Sequence, residues 1–130
     1  MILLDTSALA KLLVEEPESS ELRRDLSSRA KAGAEFAIST LAVVELRRLA
    51  IRLGVDPARV SPVIEPFRVL ILTEGIIQLA GRLPYRHLGT LDALHLATAL
   101  AAAADTMVTY DLRQADAARA EGLAVVQPKP

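Results

Sequence analysis

The stretch MILLDTSALA, residues 1–10, contains the transition that decides the fold. Three apolar residues, Ile2 to Leu4, are followed without a spacer by Asp5, and the residues after it are typical of the start of a helix. A buried carboxylate without a partner is costly by several kcal/mol. The position of Asp5 therefore has two explanations: it caps a helix, or it belongs to a binding site at the tip of a strand.

The same alternation of a short apolar run and a helical pattern recurs along the chain. Runs with the length of strands buried on both faces occur at Ile2–Leu4, Phe36–Ser39, 68–72, 106–109 and 123–126. Strands that alternate with helices are typical of a parallel sheet covered by helices on both sides. The sequence therefore predicts an α/β fold.

Helix boundaries are indicated by polar residues and glycines. We predict helices over 8–14, 17–32, 41–53, 74–83, 91–103 and 112–121, with a less regular one near 57–65 that contains Pro62. The expected N-caps of five of these helices are Ser7, Thr40, Thr73, Thr90 and Asp111. Glycines 33, 54 and 122 follow three of the predicted helices and are expected to end them.

Length and composition limit the class of protein. The 130 residues predict one domain, 1–130, and a 52 % hydrophobic share is ample for its core. No run reaches about 18 apolar residues, so no membrane span is expected, and the first residues do not resemble a signal peptide. The absence of cysteine excludes disulfides and thiolate metal sites. It fits a reducing compartment, and we expect a cytoplasmic protein.

Four acidic residues fall where a parallel α/β sheet binds its ligands, beyond the carboxyl ends of the strands. Asp5 ends the first predicted strand, and Asp111 follows the fourth. Glu45 lies one turn into the helix after the second strand, and Asp92 lies in the first turn of a later helix. We therefore expect these four side chains to meet at one edge of the sheet.

Such a cluster needs a compensating charge. Two unit charges about 4 Å apart repel by about 4 kcal/mol at an effective dielectric near 20, so either some acids hold protons or a cation lies among them. With no cysteine and only His87 and His95, a structural zinc site is poorly supplied. Oxygen ligands favour Mg²⁺ or Mn²⁺, which can ionise a water for attack at phosphorus. The acids thus indicate a phosphodiesterase.

Four sequence blocks surround these acids: DTSA at 5–8, VVELRR at 43–48, LDALHLATAL at 91–100 and VTYD at 108–111. In this order and spacing they resemble the PIN-domain family, and especially its VapC-type toxins of bacterial and archaeal toxin–antitoxin pairs. The resemblance extends from the first residue to about residue 126. It implies a three-layer α/β/α fold with a five-stranded parallel sheet. It also implies a Mg²⁺- or Mn²⁺-dependent endoribonuclease that cleaves single-stranded or looped RNA.

The resemblance assigns a role to individual residues. It places the metal-binding and catalytic acids at Asp5, Glu45, Asp92 and Asp111. It places small hydroxyl residues, which bond a ligand or a metal-held water, at Thr6 and Thr109. Asp116 is an alternative fourth acid, and Asp111 is preferred because it directly follows the strand end.

Partners follow mostly from the same resemblance. It implies a VapB-like antitoxin that covers the acidic cleft, and a homodimer. The net charge of −1 does not indicate binding of nucleic acid by bulk positive charge, so RNA would need local cations. Arg48, Arg52 and Arg113 are candidates, with a solvated surface as the simpler explanation for the first two. His95, three residues after Asp92, is expected to be partly buried and to bond a neighbour, or alternatively to tune the site.

Two alternatives remain open at this point. A haloacid-dehalogenase-like phosphatase also has an aspartate at the end of its first strand, but it requires a second aspartate where this chain has Ser7, and a suitably placed later lysine. The lysines here are Lys11, Lys31 and Lys129. The other alternative is a non-catalytic RNA-binding or interaction module with the same fold.

Overall fold

The protein is described from a computed structural model that covers residues 1–130. One sheet of five parallel strands lies at its centre, in the order β3-β2-β1-β4-β5. The strands are β1 (Ile2–Leu4), β2 (Phe36–Ser39), β3 (Arg68–Leu70), β4 (Thr106–Val108) and β5 (Ala124–Val126). The predicted five-stranded parallel sheet is confirmed.

Helices connect every pair of successive strands. They are α1 (Thr6–Leu13), α2 (Ser19–Lys31), α3 (Thr40–Leu53), α4 (Val60–Ile64), α5 (Glu74–Arg82), α6 (Thr90–Ala101) and α7 (Leu112–Ala120), with a 3-10 turn at Pro57–Arg59 before α4. No helix combines the length and the apolar composition that a membrane span requires.

The central strand β1 contributes side chains to both faces of the sheet, as alternation along a strand requires. Ile2 and Leu4 pack with α1, α2 and α3 in one apolar cluster. Leu3 packs with Leu96 of α6 and Met107 of β4 in a second cluster on the opposite face. Because helices cover both faces, the molecule has the three α/β/α layers that the family resemblance implies.

The strand order places a crevice at the carboxyl ends of β1 and β4. The chain runs from β1 outward to β2 and β3, and then crosses to β4 and β5 on the other side of β1. Connections that leave neighbouring strands in opposite directions open a gap in the covering layer, which is where such sheets bind ligands. β1 and β4 pair in register up to Leu4 opposite Val108, so Asp5 and Thr109 emerge side by side.

Three of the predicted N-caps are wrong. Helix α1 begins at Thr6 and is capped by Asp5, whose side chain accepts a hydrogen bond from the backbone N–H of Ala8. Helix α3 begins at Thr40 and is capped by Ser39, whose hydroxyl accepts from the backbone N–H of Leu41, while the Thr40 hydroxyl donates to the carbonyl of Leu70 on the neighbouring strand. Helix α6 begins at Thr90 after Gly89, with no side-chain cap. The caps predicted at Thr73 and Asp111 are confirmed.

Other boundaries differ by a few residues. Helix α2 begins at Ser19 rather than at Pro17. The irregular 57–65 segment divides into the 3-10 turn and the five residues of α4. Strand β3 ends at Leu70, which pairs with Ser39. The apolar run continues through Ile71 and Leu72 without further pairing, so the sequence predicts a strand that is two residues too long. Helix ends commonly fray over one or two residues, so these differences leave the site unchanged.

Candidate active site

Asp5 is fixed at the tip of β1 by donors on both of its oxygens. Its side chain is almost completely buried, with the residue 2 % exposed. Oδ1 accepts from the Ser7 hydroxyl at 2.6 Å and from the Ala8 backbone N–H at 3.2 Å. Oδ2 accepts from the Thr109 hydroxyl at 2.5 Å. Both explanations of the opening sequence therefore hold, since Asp5 caps α1 and also belongs to a polar cluster beyond the strands.

The hydroxyls that bind Asp5 connect it to the loop after β4. The Ser7 hydroxyl accepts the backbone N–H of Tyr110 at 2.9 Å, and the Thr109 hydroxyl accepts that of Asp111 at 3.1 Å. Each hydroxyl thus accepts a backbone proton from one segment and donates its own to Asp5. This network sets the positions of the Asp5 and Asp111 backbones relative to each other.

Glu45 projects from the second turn of α3 and is held through one oxygen. Its Oε1 accepts from the Thr6 hydroxyl at 2.7 Å and lies 2.6 Å from Nε2 of His95 on α6. His95 itself is fully buried, at 1 % exposure, so the expectation of partial burial is wrong. Thr6 and His95 together bring α1, α3 and α6 to one point.

Asp92 and Asp111 lie at the beginnings of α6 and α7. Asp111 caps α7, with Oδ1 accepting from the backbone N–H groups of Arg113 and Gln114. Asp92 makes no side-chain hydrogen bond, but its carbonyl accepts from the Gln114 side-chain amide at 3.1 Å. Gln114 is buried and therefore ties the start of α7 to the first turn of α6.

Three of the four acids retain carboxylate oxygens without a protein partner. These are Oε2 of Glu45, both oxygens of Asp92 and Oδ2 of Asp111, whereas Asp5 has both oxygens bonded. The free oxygens are the groups able to receive a cation. In the structure, no three His, Asp or Glu side chains already converge closely enough to enclose an ion.

Charge repulsion inside this cluster is visible in the pKa of Asp92. Partial burial, together with the negative charges of Asp111, Asp5 and Glu45, raises that pKa to about 6 against the opposing effect of His95. All four predicted acids therefore lie within electrostatic reach of one another.

The pKa values of Asp5 and Glu45 are shifted in opposite directions. Burial raises the pKa of Asp5 despite the opposing hydrogen bonds from Ser7 and Thr109. Burial also acts to raise the pKa of Glu45, but the hydrogen bonds from His95 and Thr6 outweigh it, and the pKa is lowered. Glu45 is thus the acid in the cluster whose charged form the protein stabilises.

Cationic side chains border the acids on two sides. Arg48 and Arg52 line a groove of about 540 Å³ that also contains Thr6 and Glu45. Arg113 lines a second cleft, of about 590 Å³, together with Arg86 and His87. Asp116 also faces this second cleft, where it is 84 % exposed and 3.7 Å from Arg119, rather than joining the Asp5 network.

The sequence of this chain matches a known protein family over most of its length. The sequence profile described as PIN domain matches residues 2–120. This chain belongs to the PIN-domain family. The PIN domain is similar to Ribonuclease VapC47 of Mycobacterium tuberculosis (strain CDC 1551 / Oshkosh), with 39 % identity over 132 residues that cover 98 % of the chain and 97 % of the relative. The resemblance to VapC-type toxins stated from four sequence blocks is confirmed.

Solved structures confirm the fold of this PIN domain. A toxin–antitoxin complex from Klebsiella pneumoniae contains a chain with a TM-score of 0.75 and 24 % identity, covering 98 % of each chain. Mycobacterium tuberculosis VapC20, described as a sarcin–ricin loop cleaving toxin, has a TM-score of 0.73 and 18 % identity, covering 100 % of each chain. At these identities the comparisons concern the PIN fold alone.

Three contributors to this PIN-domain site were missed or undervalued in the sequence. The sequence assigns Ser7 only a role in helix capping, it predicts His95 mainly as a partly buried residue that bonds a neighbour, and it does not single out Gln114. The DTS run does place a second hydroxyl two residues after Asp5, which is a local signal for Ser7. No local signal existed for Gln114, because its partner is 22 positions away on another helix.

Proposed function

We propose that this protein is a Mg²⁺- or Mn²⁺-dependent endoribonuclease that cleaves single-stranded or looped RNA, and that it is the toxin of a VapBC-type pair. The observation that carries the proposal is the joint placement of Asp5, Glu45, Asp92 and Asp111 beyond β1 and β4. Their mutual charge acts on Asp92. The name of the relative VapC47, a ribonuclease with 39 % identity, supports the same activity.

The donor set suits a hard divalent cation. All free donor atoms in the cluster are carboxylate oxygens, and the buried His95 already uses Nε2 on Glu45. Oxygen ligands with a net negative charge are what Mg²⁺ and Mn²⁺ prefer. A cation would also relieve the repulsion that raises the pKa of Asp92. Glu45, Asp92 and Asp111 would hold it through their free oxygens, and Asp5 would contribute from its anchored position.

The protein side of the reaction consists of orientation and charge. A bound divalent ion supplies Lewis-acid activation of a water molecule and neutralisation of charge on the phosphodiester. Ser7 and Thr109 hold Asp5, and Thr6 holds Glu45, so the acids need little rearrangement when the substrate arrives. Thr6 and Thr109 act in this way on the acids themselves, whereas the family resemblance implied that they bond a ligand.

We propose that RNA phosphates bind the arginine side chains that lie on either side of the acids. Arg48 and Arg52 line the groove on the Glu45 side, and Arg113 lines the cleft beyond Asp111. None of the three makes an ion pair within 4 Å of an acid, so each is available to an external phosphate. Replacing them with alanine is expected to raise KM for RNA more than it lowers kcat.

The partner proposals are a VapB-like antitoxin and a homodimer. The antitoxin would cover the acidic cleft and could neutralise it with an arginine. The Klebsiella pneumoniae relative, described as a toxin–antitoxin complex, supports a protein partner. An RNA substrate together with the cysteine-free composition supports a cytoplasmic location, and the single domain 1–130 remains our proposal for the chain.

The decisive experiment is RNA cleavage by the purified chain. We expect cleavage of a looped RNA with Mg²⁺ or Mn²⁺, loss of cleavage in EDTA, and products with 5′-phosphate and 3′-hydroxyl ends. Asp5→Asn is expected to abolish cleavage with the fold retained by circular dichroism. Asp116→Asn is the matched control, because this exposed acid lies outside the hydrogen-bond network, and it should retain the wild-type kcat whatever its effect on KM for RNA.

The outcomes separate the alternatives. RNA binding without cleavage under any metal would support the non-catalytic module. Hydrolysis of small phosphate monoesters with intact RNA would support the phosphatase class. Full activity of Asp5→Asn would refute the assignment of the acids.

A further inference from the structure

We propose that His95 is a positioning residue for Glu45. Its Nε2–H and the Thr6 hydroxyl bind the same carboxylate oxygen, Oε1, and reserve Oε2 for whatever the site binds. The proposal rests on the proposed nuclease function in one respect: Oε2 of Glu45 is reserved for the metal ion of that function. The hydrogen bond itself is a property of the folded chain.

The first observation is the convergence of two donors on one atom. Nε2 of His95 lies 2.6 Å from Oε1 of Glu45, and the Thr6 hydroxyl lies 2.7 Å from the same oxygen. Oε2 has no hydrogen-bond partner in the protein. A glutamate on a helix surface normally samples several rotamers, and two donors on Oε1 hold one of them.

The second observation fixes the position of the proton on His95. A neutral imidazole has one donor and one acceptor nitrogen. A carboxylate ionised at neutral pH only accepts hydrogen bonds, and Oε1 of Glu45 accepts from the Thr6 hydroxyl as well. The proton that the bond requires is therefore on Nε2. Nδ1 is buried without any partner, which leaves it as the bare acceptor nitrogen.

The third observation is the place of His95 in the fold. It is fully buried on α6, one turn after Asp92, and reaches Glu45 on α3 and Thr6 on α1. A residue needed only for packing at this position would be apolar, because a buried nitrogen without a partner, such as Nδ1, carries a cost. His95 carries this cost at Nδ1 while its Nε2 binds Glu45, which favours a role in holding that acid.

The test compares two substitutions of His95 with a control on the same helix. His95→Leu keeps a buried side chain and removes the donor, whereas His95→Gln restores an N–H at a similar reach. Thr98→Val is the control, since Thr98 is buried on α6 and bonds only the Leu94 carbonyl. Mn²⁺ affinity without RNA, and kcat and KM for RNA cleavage, are measured for each variant.

We expect His95→Leu to weaken Mn²⁺ binding by roughly 10- to 100-fold, as loss of a residue that orients a metal ligand typically does. kcat should fall by a similar factor with KM for RNA nearly unchanged. His95→Gln should recover most of both losses, and Thr98→Val should match the wild type. Equal Mn²⁺ affinity and kcat in His95→Leu and the wild type would overturn the proposal, as would failure of His95→Gln to improve on His95→Leu.

A measurement on the metal-free wild type keeps the test independent of variant folding and of activity. Long-range ¹H–¹⁵N NMR of the imidazole should show a protonated Nε2 and a bare Nδ1. A bare Nε2 would refute the hydrogen bond. If the wild type shows this tautomer but neither binds Mn²⁺ nor cleaves RNA, the proposed nuclease function fails while the Glu45 contact stands.

Discussion

Asp5 and Asp92 show how one residue type serves two purposes in the same cluster. Asp5 is 2 % exposed and bonded through both oxygens, so it is part of the framework of the site. Asp92 is half-buried, has no side-chain hydrogen bond, and has a pKa raised to about 6. Relative to the unfolded chain, the folded state therefore favours the neutral form of Asp92, and no hydrogen bond to its side chain opposes this effect.

Substitution of these two acids should change stability in opposite directions. In EDTA, Asp92→Asn should raise the thermal midpoint, because it removes a charge that neighbouring acids repel. Asp5→Ala should lower the free energy of unfolding by about 1–2 kcal/mol, because the loss of a helix cap and of the acceptor for two hydroxyl donors outweighs the relief of a buried charge. Thermal unfolding followed by circular dichroism measures both, and a drop in the midpoint for Asp92→Asn would contradict the repulsion argument.

The raised pKa of Asp92 predicts that the stability of the metal-free protein depends on pH. The pKa of Asp92 in the folded chain is about 6, above the ordinary value of 3.8, so the folded state binds more protons than the unfolded state between these values. Stability of the metal-free protein should therefore rise as the pH falls from 7 towards 5. Asp92→Asn should flatten this slope in urea unfolding series at several pH values. A slope of equal size in the variant would place its origin in another group.

At the level of elements, the ends of the helices determine the positions of the four acids. Each strand of the sheet has only three or four residues, and each site acid lies within or just before the first two turns of a helix. Caps and stops therefore determine where the acids stand. The left-handed Gly54, with a φ of 67°, ends α3, the helix that carries Glu45.

Two glycines make a matched pair for testing this dependence. Gly54→Ala should destabilise the protein by about 1 kcal/mol, because an L-residue at positive φ is strained. Gly81 lies within α5, and an added Cβ meets no atom within 4 Å. Gly81→Ala should therefore stabilise the protein by about 0.5 kcal/mol through helix propensity. Urea unfolding measures both, and changes of the same sign would contradict the conformational argument.

At the level of the whole molecule, one edge of the sheet is apolar and uncovered. Strand β3 is an outer strand, with Val69 40 % exposed and Ile71, directly after the strand end, 74 % exposed. Ile77 of α5 adds a third exposed apolar side chain, at 53 %. Open strand edges with apolar side chains usually meet another chain, so we expect the proposed homodimer to use this face.

A charge introduced at that face should separate the protomers. Ile71→Lys is expected to give a monomer at micromolar concentration by analytical ultracentrifugation, whereas we expect the wild type to be a dimer. Leu112→Lys is the control, because Leu112 is similarly exposed, at 69 %, but lies at the start of α7 on the far side of the sheet order. A dimer that survives Ile71→Lys and dissociates with Leu112→Lys would place the interface elsewhere.

Much of the fold and the identity of the acids were predictable from local order in the sequence. Each strand is a short apolar run and each helix has its own period and stop signals, so α/β alternation is a property of neighbouring residues. The acids were predictable because strand ends in a parallel sheet meet at one edge, which makes positions 5, 45, 92 and 111 neighbours by topology.

The remaining features depend on contacts between residues distant in sequence. The Thr40 hydroxyl, which the sequence predicts to cap α3, donates instead of capping to the carbonyl of Leu70 on β3, 30 positions later. Glu45 is fixed by His95, 50 positions later, and the orientation of Asp5 depends on Thr109, 104 positions later. The sequence by itself determined the strand and helix alternation and which acids would gather, because periodicity and chain order are local. Only the tertiary structure decided which oxygens are bonded and which stay free, because donors from separate elements compete for the same atoms once the chain has folded.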